Sequence, residues 1–139
     1  MGVEPFLIAT TINITIAQRL VRRICPNCIE SEEIYFSEVE KLLGKNLALK
    51  LPQTKKGKVR LFRGRGCPLC QNTGYLGRIG IFEILEMQEV IKDLVLEKSS
   101  ASKIKEEATK LGMRTMIEDG LKKVEMGITT LEEILKAVK

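Results

Sequence analysis

Cys25-Pro26-Asn27-Cys28 and Cys67-Pro68-Leu69-Cys70 hold every cysteine of the chain, and the two pairs lie far apart in sequence. Thiolates two residues apart can grip one face of a tetrahedral ion, and a second pair closes the shell. The pattern therefore predicts a Cys₄ zinc site at Cys25, Cys28, Cys67 and Cys70. With all four positions filled by protein, no coordination position is left for a substrate, so such a site is structural. Proline after each first cysteine fixes φ and stiffens the turn, so that backbone N–H groups can point at sulfur. Two disulfides or four buried thiols are the other readings of an even cysteine count. Against them, no secretory signal pattern opens the chain, and a disulfide inside C-x-x-C closes a loop too short to constrain much.

A chain of 139 residues makes one ordinary domain or two small ones, and its 44% hydrophobic and 29% charged content is that of a soluble globular protein. No apolar run approaches the length of about 18 residues that a membrane helix needs. The longest candidate, Phe6 to Ile16, is broken by Thr10, Thr11, Asn13 and Thr15. Charge is uneven. Residues 1–81 carry 13 Lys/Arg against 6 Asp/Glu, whereas residues 82–139 carry 10 against 12. A basic half suits an acidic partner such as phospholipid head groups, nucleic acid or an acidic protein face, and it equally suits a plain solvated surface.

The elements that must hold the cysteines can be read in order. Pro5 is a start signal for a short helix. Ile12-Asn13-Ile14-Thr15-Ile16 alternates as a strand does, yet Ile8, Ile12, Ile16 and Leu20 also fit one helix face, and both readings stay open. A short strand is expected to run from Gln18 to Ile24, straight into the first cysteine pair. Ser31 to Leu43 reads as an inserted helix with Ile34, Val39, Leu42 and Leu43 as its apolar members and Gly44 as C-cap. Lys50 to Arg65 reads as loop and hairpin, with a strand over Val59 to Phe62 before the second knuckle. Glycines 64, 66, 74, 77 and 80 surround Cys67 and Cys70, where a thiolate cage needs close backbone approach.

Arg78 to Leu85 is an apolar run of strand length, and the remainder is helical by period. Val90, Ile91, Leu94 and Val95 form one stripe. Ser102 precedes a helix bearing Ile104, Ala108 and Leu111, closed by Gly112. Met113, Met116, Ile117, Leu121 and Val124 mark the next, closed by Gly127. Thr130 with Glu133 forms the capping-box pattern of a last helix bearing Leu131, Ile134, Leu135 and Val138.

Several anchors lie outside the cysteines: Met1-Gly2-Val3-Glu4-Pro5-Phe6-Leu7-Ile8, Ala17-Gln18-Arg19-Leu20-Val21-Arg22, Thr73-Gly74-Tyr75-x-Gly77-Arg78-x-Gly80-Ile81-x-Glu83, Asp119-Gly120, and Gly127-x-Thr129-x-Leu131-Glu132-Glu133. In this order, around the two C-P-x-C knuckles, the chain resembles the C-terminal part of the ATPases that drive type II secretion and assemble type IV pili. The resemblance implies an α+β fold: the end of a RecA-like α/β motor domain with an inserted Cys₄ zinc module, then a small all-α C-terminal domain. The implied division is 1–24 for the motor edge, 25–77 for the zinc insert, 78–87 for a returning motor strand and 88–139 for the helical domain.

The same resemblance places the family's ATP- and Mg²⁺-binding motifs upstream of Met1. The sequence contains no G-x-x-x-x-G-K-[ST] and no histidine, so this chain alone is expected not to hydrolyse ATP. The implied setting is the cytoplasmic face of the inner membrane, with secretion or pilus platform proteins as partners. A homohexameric parent is implied, and the isolated chain is expected to be a monomer. The basic segment, chiefly Lys55, Lys56, Lys58, Arg60, Arg63 and Arg65, is the expected contact with an anionic lipid surface or partner, since basic clusters gain about 1 kcal/mol per residue near such a membrane. A stand-alone zinc-ribbon module binding nucleic acid is the alternative. The middle stretch offers only Tyr35, Phe36, Phe62 and Tyr75 for base stacking, and no nucleic acid is expected.

Overall fold

The computed structural model describes residues 2–139, and Met1, with the reading placed on it, lies outside the described residues. The fold is α+β. Pro5 opens helix α1 (Pro5–Thr11), which ends with Ile12 in an extended conformation. Strand β1 (Ile14–Ile24) follows, so the open choice between strand and helix resolves in favour of strand from Ile14. The β-branched run Ile14-Thr15-Ile16 suits a pleated surface better than a helix, and β4 (Tyr75–Glu86) lies beside β1 to take up its backbone groups.

The insert departs from the sequence reading. Residues 31–35, expected within a helix, belong to strand β2 (Ile29–Tyr35), and only Phe36–Leu43 is helical, as α2. Glutamate-rich sequence favours helix locally, but β3 (Lys58–Gly64) supplies a partner of opposite charge. The antiparallel register sets Glu30 opposite Arg63, Glu33 opposite Arg60 and Ile34 opposite Val59. Cross-strand pairing thus overrides local propensity. Gly44 ends α2 with φ +79°, as a C-cap glycine does. A short α3 (Lys45–Ala48) completes the insert.

Beyond β4 come α4 (Glu89–Leu96), α5 (Ala101–Lys110), α6 (Met116–Glu125) and α7 (Leu131–Ala137). The cap of α5 is Ser100, whose side chain accepts from the Lys103 amide, so Ser102 sits inside the helix rather than before it. Met113 lies outside α6, three residues short of its start. Among the described residues, no helix is long and apolar enough to cross a membrane.

The chain separates into two compact units. One unit joins residues up to Gln18 with Phe82–Thr115, and its small core is Ile91, Leu94 and Ala108, with Leu85, Met87, Ile104 and Met113 against them. Here α1 packs on α4 and α4 on α5. The other unit joins Arg19–Ile81 with Met116–Lys139. Its core collects Val21, Val39, Val59, Leu61 and Ile81 together with Leu121, Val124 and Ile134. The last two helices therefore pack with the cysteine-bearing unit and not with α4 and α5. Their apolar stripes are the complement that β3 and α2 need. Gly120 lets α6 and α7 close up, since a Cβ there would lie 2.7 Å from Ile134 Cδ1.

Candidate metal centre

The two knuckles meet although they are far apart in sequence. The four Sγ atoms of Cys25, Cys28, Cys67 and Cys70 all lie within 4.8 Å of one another. Cys25–Cys67, Cys28–Cys70 and Cys67–Cys70 are separated by 3.8, 3.9 and 3.7 Å. No disulfide links them. Sulfurs bound tetrahedrally to Zn²⁺ at about 2.3 Å stand about 3.8 Å apart, so this donor set fits that ion. Three of the four cysteines are buried and Cys67 is partly exposed.

The cage is built by β1, β3 and the turn after it. β1 delivers Cys25, whose amide donates to the Gly74 carbonyl at 2.9 Å. The Arg65 amide at the end of β3 donates to the Cys28 carbonyl at 3.0 Å, tying the two knuckle arms together. Pro68–Cys70 forms a single 3₁₀ turn, and Gln71 after it takes a left-handed conformation. Gly64 and Gly74 touch backbone to backbone, and a Cβ on either would strike the other residue's carbonyl. That close approach is why glycine stands at both positions.

Amide donors surround the sulfurs unequally. Gly66 N donates to Cys28 Sγ, while Cys67 N and Gly74 N both donate to Cys70 Sγ, each at 3.3 Å. The Asn27 side chain donates to Cys67 Sγ at 3.3 Å. In the first knuckle the Cys28 amide turns to the Cys25 carbonyl instead. The electrostatic result is an uneven set. Burial pushes the Cys28 thiol up to about 11, against the single Gly66 amide. Burial also pushes Cys70 up, but the Cys67 and Gly74 amides and the neighbouring thiols outweigh it and bring it down to about 6. Cys67 is lowered, first by the Asn27 amide and then by the Cys70 backbone. Both cysteines of the second knuckle are thus shifted toward the thiolate, whereas Cys28 is shifted away from it. Asn27 was not singled out from sequence, and its only signal was an amide side chain inside the C-x-x-C loop.

A polar network near the cage was also missed. Arg22 on β1 grips Glu133 on α7, with Nε and Nη2 at 3.0 and 2.8 Å from Oε1 and the Arg22 amide at 2.9 Å from Oε2. Thr129 is fully buried and donates to the Arg22 carbonyl at 2.7 Å. The Arg22 guanidinium lies 4.0 Å above the Tyr75 ring, and Tyr75 Oη is 2.9 Å from Thr130 Oγ1. Thr130 caps α7 by accepting from the Glu133 amide, as the capping pattern expects, while the Glu133 carboxylate goes to Arg22. Burial would raise the Glu133 carboxyl, but the Arg22 side chain and amide hold it below its ordinary value. Two of the sequence anchors, Arg22 and Glu133, are therefore one contact.

The residues of the basic segment have different surroundings. Arg63 pairs with Glu30 at 2.9 Å and with Glu32 at 3.6 Å, and Arg60 reaches Glu33 at 3.9 Å. Lys58 lies over the Tyr35 ring at 4.9 Å. Lys55 and Lys56 stand exposed in the turn before β3, and Arg65 follows that strand beside Cys28. Cross-strand carboxylates thus neutralise two of the six expected contact residues.

The family profile described as "Type II/IV secretion system protein" matches residues 1–136, and the chain belongs to that family. It is 38% identical over 135 residues to the type IV pilus assembly ATPase PilB of Myxococcus xanthus, covering 97% of this chain and 23% of that protein. The PilB of Thermus thermophilus is 42% identical, with 97% and 14% covered. The type II secretion system ATPase E of Vibrio cholerae is 37% identical over 139 residues, covering all of this chain and 26% of that protein. The chain spans about a quarter or less of the length of these relatives.

Proposed function

We propose that this chain is the zinc-stapled C-terminal region of a cytoplasmic traffic ATPase that powers type II secretion or type IV pilus assembly. The observation that carries the reading is the tight cluster of four sulfurs within a chain of this family. Cys25, Cys28, Cys67 and Cys70 would hold a structural Zn²⁺, which joins the end of β1 to the β3–β4 turn and gives the intervening lobe a fixed shape. On this reading β1 and β4 are strands at the edge of a RecA-like sheet, and ATP with Mg²⁺ binds in parts of the parent that carry phosphate-binding motifs. The chain alone does not turn over ATP. The parent works as a hexameric ring at the inner-membrane face, and the lobe presents a surface to platform proteins, with Lys55 and Lys56 available to anionic lipid.

Metal analysis of the purified chain tests the core of this reading. One zinc per chain is expected, falling to none in Cys25→Ser/Cys70→Ser. A chain that folds with the same amide dispersion and holds no metal would sink the structural-zinc assignment. Sustained phosphate release from ATP by this polypeptide would refute the assignment of catalysis to other parts of the parent.

A further inference from the structure

We propose that the groove beside the first knuckle is a docking site for an acidic amphipathic peptide segment of a partner protein, which rests on and deepens the reading of this lobe as a docking surface. The groove has a volume of about 300 Å³ and is lined by Ile24, Pro26, Ile29, Leu76 and Ile128, with Arg23 at its edge. Its volume is at the small end of binding pockets, which run about 300–1,000 Å³, and suits side-chain anchors better than a whole small molecule. Ile29 and Leu76 are each 41% exposed, so two large apolar side chains face water at this place.

Charge selects the occupant. No acidic residue lines the groove. The Arg23 stem runs past Gly77, close enough that a Cβ there would be in ordinary contact with its Cδ at 4.0 Å. Arg78 lies two residues beyond Leu76 on β4 and is exposed. The Arg65 backbone is held near Ile29 by the hydrogen bond that its amide donates to the Cys28 carbonyl. Among the described residues, none of these three arginines has an ion-pair partner, whereas Arg22, Arg60 and Arg63 all do. An apolar floor that has the unpaired Arg23 in its lining and no carboxylate matches apolar side chains flanked by a carboxylate, which arginine binds through two parallel hydrogen bonds. A bilayer surface would favour the lysine turn at Lys55 and Lys56, and nucleic acid would need free aromatic faces. Tyr75 already lies under Arg22.

The test is a selection of random linear peptides on the immobilised, zinc-loaded chain. Selected sequences should combine Leu, Ile or Phe with Asp or Glu. A synthetic consensus peptide, measured by fluorescence anisotropy, should bind about tenfold more weakly to Arg23→Glu and to Leu76→Ser, each a loss of about 1.4 kcal/mol. Both positions are exposed, and circular dichroism of each variant should match the parent chain. Selection of nothing, selection of sequences without carboxylates, or equal binding by both variants would overturn the proposal. Phosphatidylglycerol vesicles are the second arm. Vesicle binding that falls with Arg23→Glu but not with Leu76→Ser, in the absence of peptide binding, would assign the patch to lipid instead. Metal content is read in the same samples. Peptide binding without zinc would keep the groove and sink the metal reading, and zinc without peptide binding would do the reverse.

Discussion

The two units of this chain are held together in different ways, and the contrast locates its chemistry. The unit of Phe82–Thr115 with the N-terminal segment is a small helical assembly whose fully committed core is Ile91, Leu94 and Ala108. It carries six Lys/Arg against eight Asp/Glu. The unit of Arg19–Ile81 with Met116–Lys139 has a wider aliphatic core, four clustered thiols, a buried threonine and a gripped carboxylate. It carries 17 Lys/Arg against ten Asp/Glu. Packing of helix stripes suffices for the first. The second must also fix two cysteine knuckles, the second of them glycine-rich, and it does so with sulfur and polar links. Side chains that can bind something other than their own core therefore concentrate in the second unit.

The largest expected effect that would break this contrast is metal removal. Structural zinc contributes on the order of 10 kcal/mol to folding. A strong chelator should collapse the amide dispersion of residues 25–35 and 58–80 in a two-dimensional NMR spectrum. It should also loosen α6 and α7, which share the aliphatic core with β3, and leave α4 and α5 unchanged. Retained dispersion through residues 25–80 would show that the second unit needs no staple.

Next in size is Gly64→Ala. The new Cβ would strike the Gly74 carbonyl, and relief requires moving a backbone that positions two sulfurs. The cost is expected to be about 3 kcal/mol, with weaker zinc retention, read by urea denaturation and metal competition. An unaltered midpoint would mean that the arms are looser than their contact implies.

Glu133→Gln should cost about 1–2 kcal/mol, discounted because Arg22 is about half exposed in its side chain. Its pH dependence gives a sharper reading. The Glu133 carboxyl is depressed when folded, so its stabilisation is complete above the ordinary carboxyl value of 4.5 and is lost as pH falls through the folded value. The stability gap between parent and variant should be constant from pH 7 to about 5 and close below that. A gap that widens on acidification would contradict the network. The smallest effect belongs to the first unit: Ser100→Ala removes the α5 cap and should cost about 1 kcal/mol, seen as faster amide exchange in α5 and not in the cysteine-bearing unit.

Much of this was legible in the chain because it is local. C-P-x-C twice confines each sulfur pair within a turn, and Pro5, Gly44 and Thr130 mark helix ends by their own conformational limits. Periodicity found the stripes of α4 through α7 within a few residues. The failures are non-local. Nothing in Glu30-Ser31-Glu32-Glu33 says strand until Arg60 and Arg63 stand opposite, and nothing in the stripe of α6 says which unit it completes.

By itself the sequence determined which residues can bind metal, where most helices begin and end, and that the second knuckle needs glycine around it. Those are properties of short spans, fixed by covalent geometry and by side-chain type. Only the tertiary structure decided that the four sulfurs meet, that the Glu133 carboxylate goes to Arg22, and that two of the six expected basic contact residues are paired with carboxylates of the partner strand. It also decided that the unpaired Arg23 lines an apolar groove. Each of these depends on contacts between residues tens of positions apart, where the energy lies in desolvation and charge pairing that no local window of sequence contains.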